Sequence, residues 1–139
     1  MTVIAPLQIA PLGASTLRFF RSPRPGADFL WHAFDDLLAC MALPRDRRRI
    51  FKRKLAADWR AEVKTIATRD GIVTIAPHYM AQGLISAMIS EGYVRPSFEH
   101  DYSKAGSDAL SKITLGWSAG EILAFLAEAH KRDNDGGAA

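Results

Sequence analysis

The sequence predicts an α+β protein in which small antiparallel β-hairpins pack with a helix-turn-helix-like pair and with further helices. Two β-branched runs flank an Asp-Gly pair within residues 63–76, a pattern that is typical of a β-hairpin. Apolar side chains recur at every fourth position within residues 45–62, which indicates an amphipathic helix. Apolar residues make up 48% of the 139 residues, which is enough to form a core.

Two short strands are the first elements that we predict, over residues 16–21 and 29–34. The run Ser-Pro-Arg-Pro-Gly between them favours a turn, so the two strands can form a hairpin. Residues 1–15 contain two prolines and are expected to form a flexible arm. They lack the basic start of a secretory signal, and we therefore expect a cytoplasmic protein.

A short helix is predicted from Asp36 to Ala42, with Asp35 or Asp36 as its N-cap. Leu43-Pro44 ends this helix, because proline cannot continue it and suits the first turn of the next one. The second helix is expected to run from Arg45 to about Glu62.

Positive charge is concentrated in this second helix and in the hairpin that follows it. The net charge is only +3, yet residues 45–69 contain ten basic and three acidic residues, a local net charge of +7. On a helix, Phe51, Leu55 and Trp59 share one stripe, and cations occupy a broad sector largely opposite. Such an asymmetry indicates a polyanionic partner.

We therefore predict that the basic helix binds double-stranded DNA. A short helix, a turn and a longer basic helix are similar to a helix-turn-helix arrangement, in which arginine and lysine contact phosphates and arginine also pairs with guanine. A basic helix face that only contacts solvent is the structural alternative, and docking on an acidic partner protein is the functional one. The residues predicted to contact nucleic acid are Arg45, Arg48, Arg49, Lys52, Arg53, Arg60 and Arg69.

The β-hairpin is expected to pair residues 63–68 with residues 72–76. Pro77 can open the next helix, which is predicted over residues 77–91 and closed by Gly92. Together these elements complete a nucleic-acid-binding domain over residues 16–94.

The C-terminal part of the chain is predicted to contain one further helix. Residues 95–117 are polar and lack a clear period, which favours a linker. Ser118 and Glu121 have the spacing of a capping box and start a helix over residues 118–132. Residues 133–139 are expected to be disordered. The apolar face of this helix has two alternative roles, completion of the core or contact within a homodimer, and consists of Ile122, Phe125, Leu126 and Ala129.

Catalytic and metal-binding motifs are not found, so we predict no enzyme, no metal and no cofactor. The histidines lack metalloprotease spacing, and phosphate loops and nucleophile elbows are missing. Cys40 is the only cysteine, which excludes an internal disulfide, and its apolar surroundings predict burial. An acid–base pair of His32 with Asp35 or Asp36 is the enzymatic alternative. No apolar run approaches the roughly 20 residues of a membrane span.

Three segments carry a family resemblance: LRFF at residues 17–20, FLWHAFDDL at residues 29–37 and TIATRDGIVTIAPHY at residues 65–79. With the basic helix between the last two, residues 16–92 resemble the Bro N-terminal domain, a family that includes phage antirepressors and viral regulators. The resemblance implies an Asp that starts a helix, a short helical hairpin, and a β-hairpin that leads into another helix. It also implies DNA binding and regulation of the phage or mobile-element type.

Overall fold

The computed structural model describes residues 2–135, and over these residues the chain is a mixed α+β protein with one antiparallel sheet and five helices. The predicted fold class is thereby confirmed. The strands are β1 (Gln8–Leu12), β2 (Ser15–Phe20), β3 (Trp31–Ala33), β4 (Lys64–Thr68) and β5 (Gly71–Ala76). The helices are α1 (Phe34–Cys40), α2 (Arg45–Ala56), α3 (His78–Ser90), α4 (Ser97–Thr114) and α5 (Ala119–Asn134). The order of the strands in the sheet is β1-β2-β3-β5-β4.

The prediction of a flexible arm over residues 1–15 is wrong, because β1 pairs with β2 across a two-residue turn that begins at Gly13. Gly13 has a φ of 54°, which is accessible to glycine at little cost. Pro11 is tolerated because β1 is an edge strand, where one side of the backbone has no neighbouring strand. Residues farther toward the N-terminus also bond to the sheet, since the Ile4 amide donates to the Ala67 carbonyl at 2.9 Å.

The helix predicted over residues 36–42 begins two residues earlier, at Phe34, and ends at Cys40. Asp36 therefore lies in the first turn instead of at the N-cap, and it is engaged elsewhere. Its carboxylate accepts bonds from the Arg18 backbone amide at 3.1 Å and from Nε and Nη2 of the same arginine at 2.8 and 3.0 Å. This contact joins α1 to β2.

The second predicted helix begins at Arg45 as expected but ends at Ala56, six residues before the expected end at Glu62. Beyond Ala56 the chain turns, and the Trp59 amide donates to the Lys54 carbonyl at 2.9 Å. The turn brings the Trp59 ring edge-on to Phe34, with ring centroids 6.4 Å apart. Packing of this tryptophan on the core therefore accompanies the early end of the helix.

The β4–β5 hairpin and α3 lie close to their predicted positions. Thr68 pairs with Gly71, so Arg69 and Asp70 form the turn and the glycine opens β5. Pro77 is the N-cap of α3 instead of its first residue. Gly92 follows the helix with a φ of 83°, a conformation that commonly ends helices.

The linker predicted over residues 95–117 is wrong, because most of it forms the 18-residue helix α4. Phe98, Tyr102 and Ala109 are its buried residues, and Ala105 packs against the same core. Leu110 and Ile113 also pack against this core, so the apolar positions follow a helical period, but only Phe98, Tyr102 and Ala109 are fully buried. Serines and a glycine between them further weaken the helical pattern.

Helix α5 begins after Ser118, and the predicted capping box is present. The Glu121 amide donates to Ser118 Oγ at 3.1 Å, and the Ser118 amide donates to Glu121 Oε1 at the same distance. The helix continues to Asn134, so the disorder predicted for residues 133–139 is wrong at its first two positions, while residues 136–139 lie outside the described part.

The main core lies between the sheet and the helices and includes Leu17, Phe34, Ile85 and Tyr102. A smaller cluster around Phe20, Trp31 and Ile75 covers the opposite face of the sheet. None of the helices within residues 2–135 combines the length and apolar character that crossing a membrane requires.

Candidate nucleic-acid interface

Helix α2 is anchored to the fold by one side only. Phe51 is buried, and Leu55 and Trp59 are half-buried against the main core, as the four-residue spacing predicts. The outward side of the helix is exposed and carries mainly charged side chains, together with Ile50. An anchored helix with an uncovered cationic side is a suitable support for contacts with a polyanion.

Six cations of α2 are exposed. Lys54 lies over the Trp59 ring, with Nζ 5.9 Å from its centroid, and four of the other five surround one shallow depression. The four recur at intervals of three, four and seven residues, which places them on one side of the helix. We call the five residues the basic surface, and they are Arg45, Arg48, Arg49, Lys52 and Arg53.

The basic surface is nearly free of carboxylate partners. Within residues 2–135, its only ion pair joins Lys52 Nζ to Asp35 Oδ1 at 3.9 Å, and both of these side chains are more than half exposed. An exposed pair at this distance contributes little to stability. The four arginines form no ion pair or side-chain hydrogen bond in the same part of the chain, so their guanidinium groups are available to a ligand.

Arg47 and Arg18 show the contrast with arginines that the fold itself uses. Arg47 donates from Nε to the Tyr93 hydroxyl at 3.2 Å, and its Nη2 lies 3.3 Å from Glu91. The hydrogen bond with Tyr93 and the charge of Glu91 raise the pKa of Arg47. Arg18 is held by Asp36 as described above. These two arginines are occupied by contacts with other elements of the fold, whereas the arginines of the basic surface have no such side-chain contact within residues 2–135.

The first turn of α2 has an unfavourable charge pattern for an isolated helix. Arg45, Arg47 and Arg48 lie near the N-terminal end, where the helix dipole favours negative charge, and Asp46 is the only acid there. Pro44 supplies no side-chain cap. An anion near this turn would be attracted both by the guanidinium groups and by the unpaired backbone N–H groups.

The other two predicted contact residues are exposed but lie outside α2. Arg60 is in the turn that follows the helix, so its predicted place on the helix face is wrong. Arg69 is in the β4–β5 turn. Because β3 and β5 are antiparallel, that turn lies toward the same end of the sheet as the C-terminal end of β3, where α1 begins. Lys52 lies near this end too, since it pairs with Asp35 in the first turn of α1.

The alternative acid–base pair does not assemble. His32 is fully buried, and neither of its ring nitrogens has a hydrogen-bond partner among residues 2–135. Burial lowers its pKa to about 3, while the carboxylates of Asp35 and Asp36 are turned to Lys52 and Arg18. Cys40 is buried as predicted, and desolvation raises the pKa of its thiol to about 11.

The C-terminal helix contacts its own chain through the face for which two roles were considered. Ala129 is buried, Leu126 lines a cleft against α4, and Phe125 packs edge-on to Trp117 with ring centroids 5.5 Å apart. Leu123 remains 67% exposed. The homodimer stays a prediction.

One concave region was missed from the sequence, namely the cleft that His78 and Tyr102 share with α5. Its lining comes from β2, the segment before β3, α3, α4 and α5, so no local motif marks it.

Comparisons with known proteins find no match: no protein-family model, no curated protein and no solved structure is significantly similar to this chain.

Proposed function

We propose that the protein binds double-stranded DNA as a regulator of the phage or mobile-element type, with the basic surface of α2 on the phosphates. The observation that carries the proposal is a set of four exposed arginines that no carboxylate of the described chain neutralises. Such a set repels itself, so its free energy falls when an anion is bound. Double-stranded DNA presents phosphates at a spacing that neighbouring side chains on one helix can reach.

The size of α2 suits a groove of DNA. Twelve residues correspond to a helix of about 18 Å, and the major groove of B-DNA, about 12 Å wide, admits an α-helix. Arg60, in the turn after α2, and Arg69, in the β4–β5 turn, are exposed and are proposed as further contacts with the DNA backbone. Arginine in this position is compatible both with phosphate contacts and with bidentate pairing to guanine.

Salt dependence measures the number of phosphate contacts. If all five side chains of the basic surface contact phosphates, the slope of log K against log salt concentration is about −4.5. Raising the salt concentration fourfold then weakens binding roughly 500-fold. Fluorescence anisotropy with a labelled duplex, recorded at four or more salt concentrations, measures this slope.

The test variant is Arg49→Ala with Arg53→Ala, which leaves the anchoring residues of α2 unchanged. Loss of two contacts makes the slope shallower by about 2, to roughly −2.7. The matched control is Lys104→Ala with Lys131→Ala, which removes the same charge from exposed positions on α4 and α5. We expect the control to keep the slope of the unmodified protein.

Two results would contradict the proposal. One is the absence of duplex binding at low salt, and the other is an equal change of slope in the test and control variants. A pull-down from lysate with and without nuclease distinguishes DNA binding from the alternative function, which is docking on an acidic partner protein. A partner that persists after nuclease treatment and is lost in the Arg49/Arg53 variant indicates an acidic protein ligand instead of DNA.

A further inference from the structure

A cleft of about 210 Å³ lies on a different part of the molecule from the basic surface. Its walls come from β2, the segment before β3, α3, α4 and α5, whereas the basic surface belongs to α2 alone. Aromatic and imidazole rings dominate its lining, and two serines on α4 lie among them. These residues are Phe19, Phe29, His78, Tyr102, His130, Ser103 and Ser107.

The rings of the cleft contact one another and form a continuous apolar wall. Phe29 lies between two imidazoles, with ring centroids 5.0 Å from His78 and 4.9 Å from His130. The ring of Tyr102 is stacked on His78 at 5.7 Å with an interplanar angle of 11°. Flat apolar surfaces of this kind bind aromatic rings by stacked or edge-on contact.

A hydrogen-bond donor of defined identity lies in this wall. The Tyr102 hydroxyl is 3.0 Å from His78 Nδ1, and the tyrosine is fully buried, so desolvation raises its pKa well above the usual value and it keeps its proton. That proton has no other acceptor among the described residues, which assigns Nδ1 as the acceptor. Desolvation lowers the pKa of His78 to about 4, so its ring is neutral near pH 7. The proton of the neutral ring is then on Nε2.

The Nε2–H group is available for a ligand. It makes no hydrogen bond within residues 2–135, and it is not among the atoms that are buried without a partner. His78 therefore offers the cleft a donor, and it is not an acceptor there in this tautomer. Specific ligand sites typically combine an apolar lining with a small number of such polar groups.

We propose that this cleft binds a small bicyclic aromatic molecule that carries a hydrogen-bond acceptor on its ring. The size of the ligand follows from the volume of the cleft. A dry apolar cavity of about 150 Å³ accommodates benzene, and the additional volume of this cleft corresponds to roughly one further fused ring. The stacked walls select a planar ligand, and the Nε2–H group of His78 selects an acceptor.

Gly106 is the position at which the cleft can be closed. A Cβ atom placed on this residue would lie 3.8 Å from Cε1 of Phe19, an ordinary contact, so a side chain there extends into the cleft without displacing backbone. Gly83 on α3 supplies a matched control, because a Cβ atom placed there meets nothing within 4 Å. Both glycines are interior helical residues, so both substitutions remove the same unfavourable glycine propensity.

The experiment compares quinoline with indole, two bicyclic probes of similar size, by titration into ¹⁵N-labelled protein at neutral pH. Quinoline carries a ring nitrogen that accepts, whereas the indole N–H donates. We expect amide shifts around residues 29, 78 and 106, and a roughly fivefold lower Kd for quinoline, which corresponds to one neutral hydrogen bond. Gly106→Leu abolishes these shifts, and Gly83→Leu leaves the quinoline Kd unchanged.

A second substitution keeps the test decisive if the leucine variant does not fold. Gly106→Ala adds only the Cβ atom and is expected to weaken quinoline binding while raising the melting temperature through helix propensity. Equal affinity for quinoline and indole, shifts located outside the cleft, or unchanged quinoline binding in a folded Gly106 variant would overturn the proposal. Arg49→Ala with Arg53→Ala should leave quinoline binding unaltered, so this result is independent of DNA binding.

Discussion

The buried histidine on β3 makes the stability of this protein depend on pH in a way that one substitution isolates. His32 is fully buried, and within the described part of the chain neither of its ring nitrogens has a hydrogen-bond partner. Burial is the main cause that lowers its pKa to about 3. The unfolded chain exposes this ring, which then has an ordinary pKa of about 6.5. Below pH 6.5 the unfolded state therefore binds a proton that the folded state does not accept, and stability falls as the pH falls.

The magnitude follows from the difference between the two pKa values. Between pH 6.5 and the folded pKa of about 3, the free energy of unfolding falls by roughly 1.4 kcal/mol per pH unit because of His32 alone. At pH 5 the loss relative to pH 8 is about 2 kcal/mol. His32→Leu removes this proton linkage, and it also removes a buried polar group whose desolvation is uncompensated.

Other titrating groups act alike in the original protein and in the variant. His78 also has a lowered pKa, to about 4, and adds to the loss of stability in acid. Asp133 has a pKa raised to about 6, mainly by desolvation, and acts in the opposite direction as its carboxylate becomes protonated. Comparison of the two proteins at pH 8 and pH 5 cancels both contributions, because His78, whose charge also lowers the pKa of His32, stays largely neutral in the folded protein at these pH values.

Urea denaturation at pH 8 and at pH 5 measures the effect. We expect the variant to gain about 2 kcal/mol relative to the original protein on going from pH 8 to pH 5. A stability difference that stays the same at the two pH values would refute the reasoning, because His32 would then titrate alike in the folded and unfolded states.

Two further substitutions test how the hairpins and helices are joined. Asp36→Asn weakens the contact with Arg18, whose side chain is only 21% exposed, and we expect a loss of about 1–3 kcal/mol in urea denaturation. Asp35→Asn, at an exposed ion pair, should change stability by less than about 0.5 kcal/mol. Gly13 has a φ of 54°, and Gly13→Ala places a Cβ atom against the Cys40 carbonyl and 2.9 Å from Cε2 of Phe98. The control is Gly116→Ala, where φ is 84° but no atom of the described residues lies within 4 Å of the added Cβ. Gly13→Ala should therefore lower the melting temperature more than Gly116→Ala. Equal effects within either pair would contradict the packing described for that residue.

Elements with local signals were predictable from the sequence. The β4–β5 hairpin has a turn sequence between two β-branched runs, and α5 has a capping box, so each is determined by residues within a short stretch. Helix α4 was not predictable in this way, because only three of its residues are fully buried and serines, a glycine and charged residues interrupt the apolar period. Strand β1 is similar: its partner and the contact of Gly13 with α1 are tertiary features.

The candidate interface was predictable only in part, because some of its features have a local sequence signal and others depend on tertiary contacts. The four-residue spacing of Phe51 and Leu55 identifies the buried side of α2 and hence the exposed cations. The separation of Arg47 from the other arginines was not visible, because its partner Tyr93 is 46 residues away along the chain. The end of α2 at Ala56, and with it the position of Arg60, depends on how Trp59 packs against Phe34.

The most direct test of the DNA-binding proposal is an NMR titration that follows the Nε–Hε signals of the arginine side chains as a DNA duplex is added. We expect the signals of Arg45, Arg48, Arg49 and Arg53 to shift together, while those of Arg18 and Arg47 stay in place because carboxylates and Tyr93 hold them. Shifts confined to residues outside α2, or no shifts at low salt, would contradict the account.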